Sequence, residues 1–120
     1  MAGKQRLAQH VLAGRAAEAA AAGFLEARGL RVLDRNVRVP GGEIDIVASD
    51  GGILVFCEVR WRARGDYGGA LASIDARKRA RMDRAACRYL QRFAVPPACR
   101  LDALCADGLP PFRWTWLRGV

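Results

Sequence analysis

The sequence predicts a single α/β domain, a central mixed sheet flanked by helices. Three observations carry this. Two helical stretches, roughly Lys4 to Arg28 and Ile74 to Phe93, bracket a run of strand-like segments. Inside that run, Pro40-Gly41-Gly42 and Asp50-Gly51-Gly52 are turn signals between alternating or apolar segments. Two further apolar segments follow the second helix, so the order reads α-β-β-β-α-β-β. A chain of 120 residues is of the commonest size for one domain, and no linker or internal repeat divides it.

Each element has a local cause. The first helix is alanine-rich and ends at Gly29, a C-cap residue; residues 1–12 are expected to be a mobile N-terminal arm carrying the lone His10. Leu30 to Arg38 reads as a strand closed by the Pro40 turn. Glu43 to Ser49 alternates as a second strand, and Ile53 to Arg60 is a third, more continuously apolar one. Trp61 to Gly69 is a loop. Ser73 is the expected N-cap of the second helix, with Asp75 in its first turn. Pro96-Pro97 stops helical structure, and Arg100 to Cys105 and Phe112 to Leu117 read as closing strands, with Trp114 and Trp116 in the core or a dimer contact.

Composition narrows the function. The chain is 52% hydrophobic, too apolar for disorder, yet no apolar run reaches the roughly 18 residues of a membrane helix. Arg15, Glu18 and Glu26 interrupt the N-terminal stretch, which argues against a secretion signal and for a cytoplasmic protein that does not act at a membrane. Cys57, Cys87, Cys99 and Cys105 match no zinc spacing and read as reduced thiols. Twenty Lys and Arg against twelve Asp and Glu give a net charge of +8, which favours a polyanion partner, nucleic acid being the commonest. The excess is concentrated between Arg60 and Arg92, where ten basic residues face three acids. On the second helix Arg77, Arg81, Arg84, Arg88 and Arg92 recur at three- and four-residue steps, a stripe apart from the apolar face of Met82, Ala85, Ala86 and Tyr89. Arginine donates two hydrogen bonds to phosphate at once. With Arg62, Arg64 and Lys78 the stripe is the expected nucleic-acid surface. Trp61 and Tyr67 are positioned to stack on bases or to pack at the domain edge.

The hairpin carries the chemistry. With Gly51-Gly52 at its tip, Asp50 pairs with Ile53, which sets Val47 opposite Phe56, Asp45 opposite Glu58 and Glu43 opposite Arg60. By alternation, Ile44, Ile46 and Ala48 share the other face. Directly opposed carboxylates repel unless one is protonated or a cation lies between them. A hard divalent ion, Mg²⁺ or Mn²⁺, is the natural bridge, with Asp45, Glu58 and Glu43 as ligands. An ion-pair cluster of Glu43 and Glu58 around Arg60 accounts for the same residues without a metal.

These residues also carry a resemblance. Gly42-Glu43-Ile44-Asp45-Ile46-Val47, then Val55-Phe56-Cys57-Glu58-Val59-Arg60-Trp61-Arg62, then Tyr67-Gly68 and Lys78, resemble the YraN family, and the likeness runs from Gly14 and Glu18 through Asn36 to Arg100-Leu101-Asp102. The resemblance implies a restriction-endonuclease-like α-β-β-β-α-β core, similar to archaeal Holliday junction resolvases. In that class the site is an Asp followed by Glu-x-Lys. Asp45 and Glu58 match the acids, Glu18 matches an extra carboxylate of resolvase-like members, and Arg60 stands where the motif has lysine. Arginine stabilises charge on phosphate but cannot act as a base. Lys78 is the one nearby lysine that could stand in for it, or it is one more phosphate contact.

The implied function is a metal-dependent endonuclease acting on branched or damaged DNA, with Asp45, Glu58, Arg60 and Glu18 as its catalytic set. DNA is favoured over RNA, and a homodimer is open because resolvase-like proteins work in pairs. The alternative is a non-catalytic DNA- or RNA-binding module that kept the fold and lost the lysine. Asp102 is expected to be structural, pairing with an arginine.

Overall fold

A computed structural model describes residues 2–63 and 73–120, with side chains from residue 14 onward. The elements are α1 (Ala2–Ala27), β1 (Arg31–Val39), β2 (Gly42–Asp50), β3 (Ile53–Arg62), α2 (Ala76–Leu90), β4 (Cys99–Asp107) and β5 (Thr115–Arg118). The predicted order holds and contains the α-β-β-β-α-β core. Five strands form one sheet in the order β1-β2-β3-β4-β5. The β3–β4 pair is parallel and the other three are antiparallel, so the sheet is mixed. A parallel pair needs a crossover, and α2 supplies it.

The two described helices cover opposite faces. Ala21, Ala22, Leu25 and Leu30 pack on Ile46, Ala48, Val55, Cys57, Val59 and Leu104. On the other face Ala85, Ala86 and Tyr89 pack on Ile44, Val47, Leu54 and Phe56. The first helix ends in a Schellman motif: the N–H of Leu30 donates to the Leu25 carbonyl (3.1 Å), and that of Gly29, at φ 90°, to the Glu26 carbonyl (3.0 Å). Leu25 and Leu30, the two positions this motif brings together, are both buried in the same cluster.

Three expectations change. The N-cap of α2 is Asp75, whose Oδ1 accepts from the Lys78 N–H at 2.8 Å; Ser73 instead accepts from Arg60. The helix is shorter than the Ile74–Phe93 reading, since its Gln91 cap closes it well before Pro96. The last strand begins only at Thr115, because Phe112 and Trp114 form an aromatic cluster with Trp61, whose indole N–H donates to the Gly108 carbonyl at 2.8 Å. Asp102 is structural as expected. It is fully buried and accepts from Arg100 Nε, Trp116 Nε1 and the Gly119 N–H, while Arg100 also reaches Asp50 at 2.9 Å. The four cysteines are free thiols. Among the described residues no helix is long and apolar enough to cross a membrane.

Candidate active site at the fork of the sheet

The predicted hairpin register is correct from Asp50↔Ile53 to Ile46↔Cys57, and there the ladder stops. Beyond it the Asp45 carboxylate replaces a backbone acceptor: Oδ2 takes the Val59 N–H at 2.8 Å. Asp45 and Glu58 are thus the first residues past the last rung, and the backbones part at the two carboxylates.

The local backbone explains the fork. Ile44 packs on the α2 face and Ile46 on the α1 face, although strict alternation would put them together. The alternation breaks at Asp45. On β1, Asn36 lies between the pairs Arg35↔Ile46 and Val37↔Ile44, level with Asp45, and has φ 54°. Asparagine tolerates this left-handed geometry better than most residues. Gly42 sets the other boundary, since a Cβ there would collide with the Arg81 carbonyl and crowd Ala85. That close approach of β2 to α2 brings Glu43 to Lys78.

The result is a cleft of about 220 Å³ that takes in Glu18 from α1, Asp45 and Glu43 from β2, Glu58 and Arg60 from β3, and Lys78 from α2. Glu58 is 1% exposed. Its Oε1 lies 3.1 Å from Lys78 Nζ and 3.6 Å from Arg60 Nη1, while no N–H or O–H donor of the described residues reaches its buried Oε2. Burial first, then the Asp45 charge, pushes the Glu58 carboxyl up to about 8, so at neutral pH it holds a proton and hydrogen-bonds Asp45. Asp45 is itself raised, mainly by burial, against the pull of the Val59 N–H. Glu18 is raised by burial and by Asp45, with Arg35, Asn36 and Arg38 drawing it down.

Lys78 and Arg60 divide the cationic work. Lys78 Nζ lies 2.7 Å from Glu43 Oε1 as well as against Glu58, with only 14% of the side chain exposed. Burial draws its ammonium down, but Glu43 and Glu58 outweigh this and leave it above the ordinary lysine value. Glu43 is correspondingly lowered by Lys78. Arg60 turns aside: its Nε donates to Ser73 Oγ at 2.7 Å and its Nη2 to the Ser73 carbonyl at 3.3 Å, bracing the segment that leads into α2. The ion pairing expected around Arg60 is therefore centred on Lys78.

The predicted basic residues differ in their partners. Arg62 ends β3 and Arg77 and Arg88 are exposed on α2; Arg84 Nη1 donates to the Gly41 carbonyl at 2.9 Å, and Arg92 pairs with Asp34 at 3.3 Å and covers the Tyr89 ring. Arg81 is half-buried, and its Nε is buried without an acceptor among the described residues. Arg64, Tyr67 and Gly68 lie outside the described residues, as does the side chain of His10. Sequence reasoning missed Arg15, Arg35 and Arg38, which stand at the mouth of the cleft beside Glu18. Their only signal was Asn36, whose left-handed preference inside a strand marks a turn in β1.

The donor set suits a hard divalent cation. The half-buried Asp45 and the buried Glu58 meet at an open cleft, and one Glu58 oxygen has no donor among the described residues. No three His, Cys, Asp or Glu side chains among the described residues form a ready cage. Mg²⁺ is commonly held by one or two carboxylates, with water and substrate phosphate completing its shell.

Comparison with known proteins gives the chain's relationships. Residues 17–105 match the model of a family described as "Uncharacterised protein family UPF0102". The chain is 47% identical over 109 residues to a UPF0102 protein of Janthinobacterium sp. (strain Marseille), covering 91% of this chain and 86% of that one. It is 42% identical over 117 residues to one from Herminiimonas arsenicoxydans, covering 98% and 91%, and 54% identical over 100 residues to one from Paracidovorax citrulli, covering 80% and 74%.

Proposed function

The chain belongs to the UPF0102 family, and we propose that it is a divalent-metal-dependent nuclease that hydrolyses phosphodiester bonds at the fork of its sheet. The observation that carries this reading is Glu58 Oε2, a buried carboxylate oxygen without a donor among the described residues, set beside Asp45 at a solvent-accessible cleft. Such an oxygen is costly unless something positive or a proton completes it. Asp45 and Glu58 are the residues that would hold Mg²⁺ or Mn²⁺, with Glu18 alongside; Glu43 is engaged by Lys78. The cation would supply Lewis-acid stabilisation of charge on the phosphate.

The chain's own groups do the rest. Asp45 is fixed by the Val59 N–H, and Glu58 by Lys78, so both carboxylates are oriented before substrate arrives. Lys78 stays protonated at neutral pH, so it acts through charge: it orients the attacking water or stabilises the phosphate oxygens as the P–O bond breaks. That is the part a motif lysine would play, supplied here from α2. DNA is the favoured substrate over RNA, branched DNA in particular, on the strength of the family resemblance.

Arg60 favours one other reading, a nucleic-acid-binding module without cleavage, because it is an arginine tied to Ser73 in the place of the motif lysine. Nicking of supercoiled plasmid and of branched DNA in Mg²⁺ or Mn²⁺ separates the two. The nuclease reading expects nicking by the wild type that is lost in both Asp45→Asn and Glu58→Gln. DNA binding without nicking supports the module, and activity equal in all three preparations contradicts the assignment of the site.

A further inference from the structure

Three clefts of this molecule run into one another. The acidic cleft shares Glu18, Asn36 and Arg38 with a larger one of about 700 Å³, which Arg15 and Arg35 complete. On its other side it shares Glu43, Arg60 and Lys78 with a cleft of about 310 Å³ that Arg77 and Arg81 help to line. The sheet's fork is thus the middle of a continuous groove, acidic at its centre and basic at both ends.

The basic arm on α1 and β1 has no internal explanation. Arg15 lies one turn before Glu18 on the same face of α1. Arg35 and Arg38 flank the left-handed Asn36, and both are close enough to Glu18 to draw its carboxyl down. All three arginines are exposed, and none has a carboxylate within 4.0 Å among the described residues. Three arginines therefore line the cleft around one acid. At the opposite end Arg77 and Arg81 line the cleft beside Lys78, and Arg81 Nε has no acceptor among the described residues. The outward stripe on α2 is different. Arg84 and Arg92 are already bonded, to Gly41 and Asp34, and Arg84 borders with Arg88 a separate cleft that none of the site acids lines.

We propose that Arg15, Arg35 and Arg38 bind backbone phosphates on one side of the acidic pair and Arg77 and Arg81 on the other, so that a nucleic-acid strand crosses the fork from α1–β1 to the start of α2. The ligand class is an internal stretch of phosphodiester backbone. Phosphates on both flanks of the acids are held, which suits cleavage within a strand and not the trimming of its end. This assignment rests on the nuclease reading for its centre, but its arms are testable without catalysis.

The test is binding of a fluorescein-labelled DNA by anisotropy in EDTA, across a salt series, for the wild type, Arg35→Ala with Arg38→Ala, Arg35→Lys with Arg38→Lys, and Arg88→Ala. The groove predicts that the double alanine variant loses about 10- to 100-fold in affinity and that its log-log salt slope falls by about 2, one for each phosphate contact removed. The double lysine variant keeps most of the binding and the Arg88 variant nearly all of it. Both altered positions are exposed, and a melting temperature equal to the wild type's shows that the fold is kept. Wild-type binding that Arg35→Ala with Arg38→Ala leaves intact overturns the groove while leaving the acidic site standing. A wild type that binds no nucleic acid in any salt overturns both.

Discussion

Lys78 Nζ lies 3.1 Å from Glu58 Oε1, joining the second helix to the third strand at the point where the sheet opens. Because the same ammonium also holds Glu43 at 2.7 Å, we read it as a half-buried counter-charge to the site before a phosphate contact. Lys78→Met should therefore reduce cleavage by about 10²-fold or more, the usual cost of one preorganised electrostatic group, while changing DNA affinity little. Parallel cleavage and anisotropy measurements check this. A variant that loses binding and cleavage in equal measure would return Lys78 to the role of a phosphate ligand.

The proton on Glu58 gives the metal-free protein a particular pH response. The folded carboxyl titrates at about 8 and the unfolded one near 4.5, so between those values the folded state binds more protons. Stability contributed by this group is complete below the unfolded value and is lost as pH rises toward 8. Asp45, also raised, acts in the same direction. In EDTA the melting temperature should fall from pH 5 to pH 8. Glu58→Gln, which keeps the neutral shape, should flatten that fall and melt higher than the wild type at pH 8. Identical pH profiles would show that Glu58 is ionised in the folded chain.

Asp102 anchors the C-terminal end of the sheet through Arg100, Trp116 and Gly119. Asp102 is fully buried while Arg100 is half-buried and keeps Asp50, so losing the acid strands the Trp116 and Gly119 N–H donors at a cost of about 1–3 kcal/mol. Asp102→Ala should therefore lower unfolding free energy by about that amount in a urea titration. None of its three partners lines the acidic cleft, so any folded fraction should retain cation binding.

Gly42 tests the close approach of β2 to α2. A methyl group there meets the Arg81 carbonyl and the Ala85 backbone, so Gly42→Ala should destabilise the fold by about 1–3 kcal/mol, as overpacking commonly does. The displacement would also part Glu43 from Lys78, and cleavage should fall more than stability alone accounts for. Gly51→Ala, at a hairpin tip with open space around it but a φ of 57°, provides a comparison in which only backbone strain is introduced.

The element order and the hairpin register were legible because Asp50-Gly51-Gly52 fixes the turn, and the apolar pattern of Val47, Phe56 and Val55 fixes the pairing of the rungs beyond it. The pairing of Asp45 with Glu58 as neighbours was legible for the same reason. Counting rungs assumes that the ladder continues, however, and so it could not show that the Asp45 carboxylate replaces a backbone acceptor and opens the sheet. Nor could it place Ile44 and Ile46 on opposite faces. The α2 stripe was visible as a period, but which arginines are free depends on the Gly41 carbonyl and Asp34, both distant in sequence. Arg15, Arg35 and Arg38 converge only because α1 lies across β1, a tertiary fact that no local pattern announces.

The most direct measurement is a calorimetric titration of the wild type and Glu58→Gln with Mn²⁺ at pH 7, repeated in buffers of different ionisation enthalpy. A cation that takes the place of the Glu58 proton must release it. The account predicts a single site in the wild type with release of about one proton, and affinity at least about tenfold weaker in Glu58→Gln with that release abolished. Wild-type protein that takes up no Mn²⁺, or that binds it as tightly without Glu58 and with no proton released, would contradict a metal-dependent site at the fork.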